Sequence, residues 1–213
     1  MTQAFTDQIE RLSPREFLQY LLRPGRAPSF LLPVADPERL SNADQVLAGR
    51  FTLVGEAFEM PGRFSWRDNP SRDKEWQIAQ HKHAFVVDLV LAYRERRDPA
   101  YLGRWSELLR SWLDEMGTGY VAASDAQVEA KRIEHWSLAL LLLAGTPAAT
   151  ELAPALVRAL LQRLAEEANY IMAHLKPARN HRTFQLFSVF LAGALFPELR
   201  DAERLARESA ALL

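Results

Sequence analysis

Over most of this chain the apolar residues recur every three or four positions, the spacing of one face of an α-helix. The first such stretch follows Ser13-Pro14-Arg15-Glu16: a Ser cap, Pro at the first helical position and Glu three residues after the cap. It runs from Phe17 to Leu22 and stops at Pro24-Gly25. Pro24, Pro28 and Pro33 predict an irregular connection over residues 24–35. Asp36-Pro37-Glu38 opens a second helix, which Gly49 closes. The character then changes. β-Branched and aromatic residues with two glycines and a proline predict a short extended hairpin near residues 50–65. Trp66-Arg67-Asp68-Asn69-Pro70-Ser71-Arg72-Asp73 reads as a polar loop of the kind that carries binding residues.

From Lys74 to Arg96 the pattern predicts one long helix, with Ile78, Phe85, Leu89 and Tyr93 on one stripe. Asp98-Pro99 caps the next, which runs through Trp105 and Trp112 to Met116 and ends at Gly117-Thr118-Gly119. Ser124-Asp125 starts another, with Ile133, Trp136, Leu140 and Leu143 inward, ending at Gly145. Glu151 to Leu175 reads as a long helix with Pro154 in its first turn. After Pro177, an apolar run from Phe184 to Phe196 is too short to span a membrane. Phe184, Phe187, Leu191 and Leu195 lie at helical spacing and predict its buried face, and Pro197 stops it. Arg200 to Leu213 reads as an amphipathic helix. The expected class is all-α, built of antiparallel helix pairs on short loops, as in a bundle, a solenoid or an α/α toroid.

The 213 residues are 48% hydrophobic and 25% charged, enough for one sizeable core or two small ones. A net charge of −1 gives no reason to expect broad attraction to nucleic acid or an anionic membrane. The absence of Cys excludes disulfides, thiolate metal sites and a Cys nucleophile. No P-loop, GxGxxG, GxSxG or HExxH motif is present. The five His show no i, i+4 pair, and His81 and His83 on one helix would point about 200° apart, so no metal site is expected. The opening residues show no signal-peptide core, which makes the cytoplasm the default compartment, or the periplasm if a leader was removed.

Candidate chemistry gathers after Pro177, where Arg179, Asn180, His181 and Arg182 stand in a row at the start of the apolar run. A helix start offers unpaired N–H groups and partial positive charge, so these side chains suit a carboxylate or phosphate. The plainer alternative makes Asn180 the helix cap. Arg132 and Trp136, at i, i+4, share a helix face, where stacking that supports packing is the plain reading. His83 alone on a helix is more often a hydrogen-bonding core residue than a catalyst.

Several stretches together resemble the helical domain of the heparinase II/III-like and alginate lyase-like polysaccharide lyases. The first carries Trp76, His83, Phe85, Ala92, Tyr93 and Tyr101; the second holds Arg132 and Trp136. The third is the Asn180-His181 helix with its Ala-Gly, Phe-Pro and Glu, and the fourth is the loop Trp66-Arg67-Asp68-Asn69-Pro70. The resemblance covers roughly residues 50–210 and implies an incomplete α/α toroid over 50–213, truncated at its C-terminal end, with residues 1–49 as a helical segment packing on it. It also implies cleavage of uronic-acid polysaccharides by β-elimination. Asn180 and His181 would neutralise the uronate carboxylate, and Trp66, Asn69, His83, Arg132, Trp136 and Arg182 would line the sugar cleft. No cofactor is implied. The partners implied are an anionic polysaccharide or oligosaccharide and a C-terminal β-sheet domain outside these residues. Tyr20, Tyr93, Tyr101, Tyr120 and Tyr170 match none of the family's proton-transfer positions, so these residues alone are not expected to complete the reaction. The competing readings are a non-catalytic α/α module that binds an anionic glycan or a protein, and a helical scaffold.

Overall fold

The computed structural model describes residues 4–26, 28, 31–116, 125–177 and 179–213. Among these, the chain forms α1 (Asp7–Glu10), α2 (Pro14–Leu21), α3 (Pro37–Leu47), β1 (Arg50–Leu53), β2 (Glu56–Glu59), α4 (Lys74–Lys82) and α5 (Phe85–Arg96). There follow α6 (Pro99–Glu115), α7 (Ala126–Leu143), α8 (Ala148–Glu151), α9 (Pro154–Ala173), α10 (Asn180–Leu195) and α11 (Ala202–Leu212). The predicted caps form. Ser13 and Glu16 close a capping box on α2, and Asp36, Asp98 and Asp125 accept first-turn N–H groups on α3, α6 and α7. The hairpin pairs β1 with β2 antiparallel, Phe51 opposite Phe58. Phe51 is buried edge-on against Phe64 and Phe85.

Two helices form the middle of the fold. Every residue of α5 from Phe85 to Tyr93 is buried, and α7 is enclosed over most of its length. A helix covered on all sides must have neighbours on all sides. α3, α6 and α7 pack on α5, while α4, α5, α9 and α10 pack on α7. The first residues are tied to the last: Thr6 N–H donates to the Glu198 carbonyl at 3.0 Å and Arg200 N–H to that of Ala4 at 3.0 Å. α10 and α11 cross closely at Gly193, where a Cβ would stand 2.5 Å from the Ala202 carbonyl oxygen.

The single helix expected over 74–96 is two. α4 ends at His83, which takes a left-handed conformation (φ 60), and α5 departs from there. That conformation is unfavourable for a side chain by about 1–2 kcal/mol, so surrounding contacts hold it. The break also removes the 200° separation that a continuous helix would impose: His81 and His83 both face the Trp66 ring, at 6.4 and 5.3 Å. The helix expected over 151–175 forms as α9, with Pro154 in its first turn as expected, and the short α8 precedes it. Gly117-Thr118-Gly119 and Ser124 lie outside the described residues.

α10 departs from expectation in two respects. Arg179, not Asn180, takes the cap position, and Asn180 is the first helical residue. Phe184 and Phe187, expected inside, are 45% and 40% exposed, while Leu191 on the same stripe is buried. The helix buries Gln185, Leu186, Ser188 and Val189 instead. Gln185 earns its enclosed place by accepting the Lys176 N–H at 2.9 Å, which orders the turn leading into the helix.

Candidate functional site

The expected site residues fall into an enclosed group and an open group. The enclosed group starts from the α4–α5 break. Trp136 Nε1–H donates to His83 Nδ1 at 3.0 Å, and Trp112 Nε1–H donates to His81 Nδ1 at 3.1 Å. An indole nitrogen only donates, so each Nδ1 presents its lone pair and both imidazoles are neutral in this arrangement. Burial, reinforced by the Arg132 charge, lowers the His81 pKa to about 4 and holds His83 well below the ordinary histidine value. Trp66 is fixed from outside by Ser111, whose Oγ accepts its Nε1–H at 3.0 Å, and by Glu115, which accepts its backbone N–H at 3.0 Å.

Arg132 joins this aromatic nest to a buried ion pair. Its guanidinium lies over Trp112 at 4.4 Å and donates through Nη1 to the His81 carbonyl at 3.0 Å. Nε and Nη2 grip Glu167, with Nη2 to Oε1 at 2.5 Å, and Arg163 adds a second guanidinium to the same carboxylate at 3.0 Å. A charge removed from water persists only when paired and hydrogen-bonded, and this set meets that condition. One neighbour does not. Glu129 is buried with Oε2 unpartnered, and burial followed by the nearby Glu167 charge raises its pKa to about 8.

Trp66, His83, Arg132 and Trp136 are therefore brought together, but with no accessible surface on any of them. In this structure their polar groups are taken up inside the core: Trp66 donates to Ser111, Trp136 to His83, and Arg132 to Glu167 and the His81 carbonyl. Asn69 shapes the loop before α4, accepting the Ser71 N–H at 3.2 Å and donating to the Asp73 carbonyl at 3.1 Å.

Asn180 and His181 are exposed on the first turn of α10, with Arg182 half-buried beside them. No hydrogen bond to another described residue occupies their side chains. α7 links the two groups. Arg132 points into the core, while the preceding residue, Lys131, reaches outward and sets its ammonium 4.8 Å from the Phe184 ring of α10. Lys131 also pairs with Glu134 at 2.7 Å.

Sequence reasoning missed His81, Trp112, Glu129 and Glu167 as members of the enclosed group. A signal existed for the two acids. Glu167 continues the stripe of Leu160, Leu164 and Ile171, and Glu129 that of Ala126, Ile133 and Trp136. A carboxyl on an apolar stripe must find a buried cation, as Glu167 does, or give up its charge, as Glu129 does. Among the described residues, no cluster of three or more His, Cys, Asp or Glu could hold a metal ion, and no helix is long and apolar enough to cross a membrane.

A family model described as the Heparinase II/III N-terminus matches residues 14–213. A heparin-sulfate lyase of Pedobacter heparinus is 25% identical over 154 residues, covering 69% of this chain and 23% of the relative. A heparin-sulfate lyase of Bacteroides thetaiotaomicron is 24% identical over 159 residues, covering 72% of this chain and 22% of the relative. Among solved structures, that of heparinase III superposes with a TM-score of 0.81 at 18% identity, over 98% of this chain and 36% of that one. Heparan sulfate lyase HepC of Pedobacter heparinus gives 0.77 at 22% identity, over 93% and 32%. The chain thus spans about a quarter of the length of these sequence relatives and about a third of the structural ones. The helices share the fold of those lyases' helical portion, an incomplete α/α toroid, and the chain belongs to the Heparinase II/III N-terminus family.

Proposed function

We propose that this chain is the substrate-binding helical part of a polysaccharide lyase acting on a uronic-acid-containing glycan. The carrying observation is the placing of Asn180 and His181, exposed and without a side-chain hydrogen bond to another described residue on the first turn of α10, in a chain of this family. In β-elimination a base takes the C5 proton, the electrons form a C4–C5 double bond, and the C4–O4 bond breaks as O4 is protonated. The C5 proton is too weakly acidic to leave unaided. Donors held on the neighbouring carboxylate stabilise the negative charge that develops as it departs. Asn180 and His181 take that role, with the positive end of α10 behind them and Arg182 adding charge.

Tyr93 and Tyr101 are not the acid or base. Tyr93 and Tyr101 are buried, and Tyr101 donates to Asp44 at 2.5 Å, so neither is open to a sugar. This favours a division of labour in which a C-terminal β-sheet domain and further toroid helices complete the cleft. The enclosed Trp66, His83, Arg132 and Trp136 act as the framework that fixes α7 against the α4–α5 break, and α10 packs on α7.

The test is isothermal titration calorimetry with heparan sulfate oligosaccharides, on the wild type and on Asn180→Ala/His181→Ala. Both positions are exposed, so the double variant keeps its fold by circular dichroism. Saturable wild-type binding that weakens at least tenfold in the variant is expected. Equal binding by both proteins would overturn the assignment of these residues.

A further inference from the structure

α10 inverts the usual arrangement of a core helix. It encloses Gln185 and Ser188 and leaves Phe184 and Phe187 40–45% exposed. Scattered apolar residues on a surface need no explanation, but buried polar groups beside exposed aromatic ones do. The two rings also lie beside the open donors. Asn180, Phe184 and Phe187 stand at i, i+4 and i+7, one face of a helix, with His181 three residues before Phe184. Further along the same stripe Leu191 is buried, so the face is covered at its end and open at its start. Lys131 of α7 sets its ammonium over the Phe184 ring.

We infer that Phe184 and Phe187 form a stacking platform for the sugar next to the one held by Asn180 and His181, with Lys131 meeting that sugar's anionic group. The inference rests on the proposed glycan function and assigns it a second subsite. A sugar ring presents a flat patch of C–H groups bounded by polar substituents. The site offers two exposed aromatic rings beside an amide and an imidazole, with the Lys131 ammonium over one of them and also paired with Glu134 at 2.7 Å. One helical turn, about 5.4 Å, separates Asn180 from Phe184, which places the platform beside the carboxylate site and not on it. A covering polypeptide would suit the rings but would also have to supply partners for the Asn180 and His181 side chains beside them. The stacking role expected of Trp66 and Trp136 thus passes to residues that a ligand can reach.

The experiment compares heparan sulfate disaccharides, tetrasaccharides and hexasaccharides by calorimetry, using the whole chain with Phe184→Ala, Phe184→Tyr, Phe187→Ala and Lys131→Met. Phe184→Ala is expected to weaken tetrasaccharide and hexasaccharide binding about tenfold and disaccharide binding less than twofold, with Phe184→Tyr restoring most of the loss. Lys131→Met is expected to flatten the salt dependence of the longer ligands. Tetrasaccharide affinity unchanged in Phe184→Ala and Phe187→Ala, or an equal loss at every length, overturns the inference and leaves the proposed function standing. A wild type that binds none of the three overturns the glycan reading, and this inference with it.

Discussion

Glu129 gives the sharpest test of the buried network. Its carboxyl is enclosed on α7, with Oε2 unpartnered and Glu167 as a like-charged neighbour. Arg132 and Arg163 lower its pKa, and Asp125 raises it further. The net result, with burial the largest cause, is a rise from 4.5 to about 8. The folded state therefore prefers the neutral acid. Stability from this group is fully present below pH 4.5, the unfolded value, and is lost as the pH climbs towards about 8. At about 1.36 kcal/mol per pH unit, that interval sets a ceiling of ~5 kcal/mol. Relaxation and water entry on ionisation reduce the expected loss to about 2 kcal/mol.

The perturbation is Glu129→Gln, which keeps the shape and cannot ionise. The assay is urea unfolding by circular dichroism at a series of pH values from about 5 to 9, read as the stability of variant minus wild type. Subtraction removes groups common to both proteins. That matters because His81, with its pKa lowered to about 4 by burial and then by Arg132, has the opposite sign. Its contribution is present above pH 6.5 and lost as the pH falls towards about 4. The difference is expected to be near zero at the acid end and to grow by about 2 kcal/mol in the variant's favour by the alkaline end. A difference that stays flat across the range would refute the reasoning, because Glu129 would then be ionising equally in folded and unfolded chains.

Three further outcomes follow from the packing. Arg132→Met leaves Glu167 with only Arg163 as a cation and should lower stability by about 3–5 kcal/mol, whereas Arg132→Met/Glu167→Leu should recover part of that loss; thermal unfolding checks both. Gly193→Ala drives a methyl into the Ala202 carbonyl and the Ala206 nitrogen at 2.5 Å and should cost about 1–3 kcal/mol in urea unfolding, by parting α10 from α11. All five Trp are fully enclosed, so native emission should be blue-shifted and resist iodide quenching until the protein unfolds; strong quenching of the native protein would contradict the burial of Trp66 and Trp136.

What the sequence disclosed divides along a physical line. Local rules placed the caps at Ser13, Asp36 and Asp98, because a cap is decided by a few neighbouring residues. The all-α class and the helix after Pro177 were legible from spacing alone, while the choice of toroid over bundle or solenoid, and the roles expected of Asn180 and His181, came from family resemblance. The break at His83 was invisible because nothing near it forbids a helix. Its left-handed turn is held by Trp136, 53 residues away in the chain. Residues 84–93 are apolar except for Asp88, so no periodicity marks where one helix ends and the next begins.

The same limit explains the two misplacements at the site. An apolar stripe says that a face avoids water, and a polar group on a helix says that it seeks a partner. Neither states which elements supply the cover. On α10, the cover from α7, α9 and α11 falls on the face of Gln185 and Ser188, so Phe184 and Phe187 face out although their spacing is that of a core stripe. On α7, the aromatic and ionic partners of Arg132 come from α6 and α9, so a residue expected in a cleft is sealed into the core. Each displacement supports the other. Enclosing the indoles and Arg132 fixes α7 rigidly, and a rigid α7 can hold Lys131 over Phe184. Asn180 and His181, to which we propose the carboxylate-binding role, thus stand on an open helix edge, backed by a charged core that packs α7 in place beneath it.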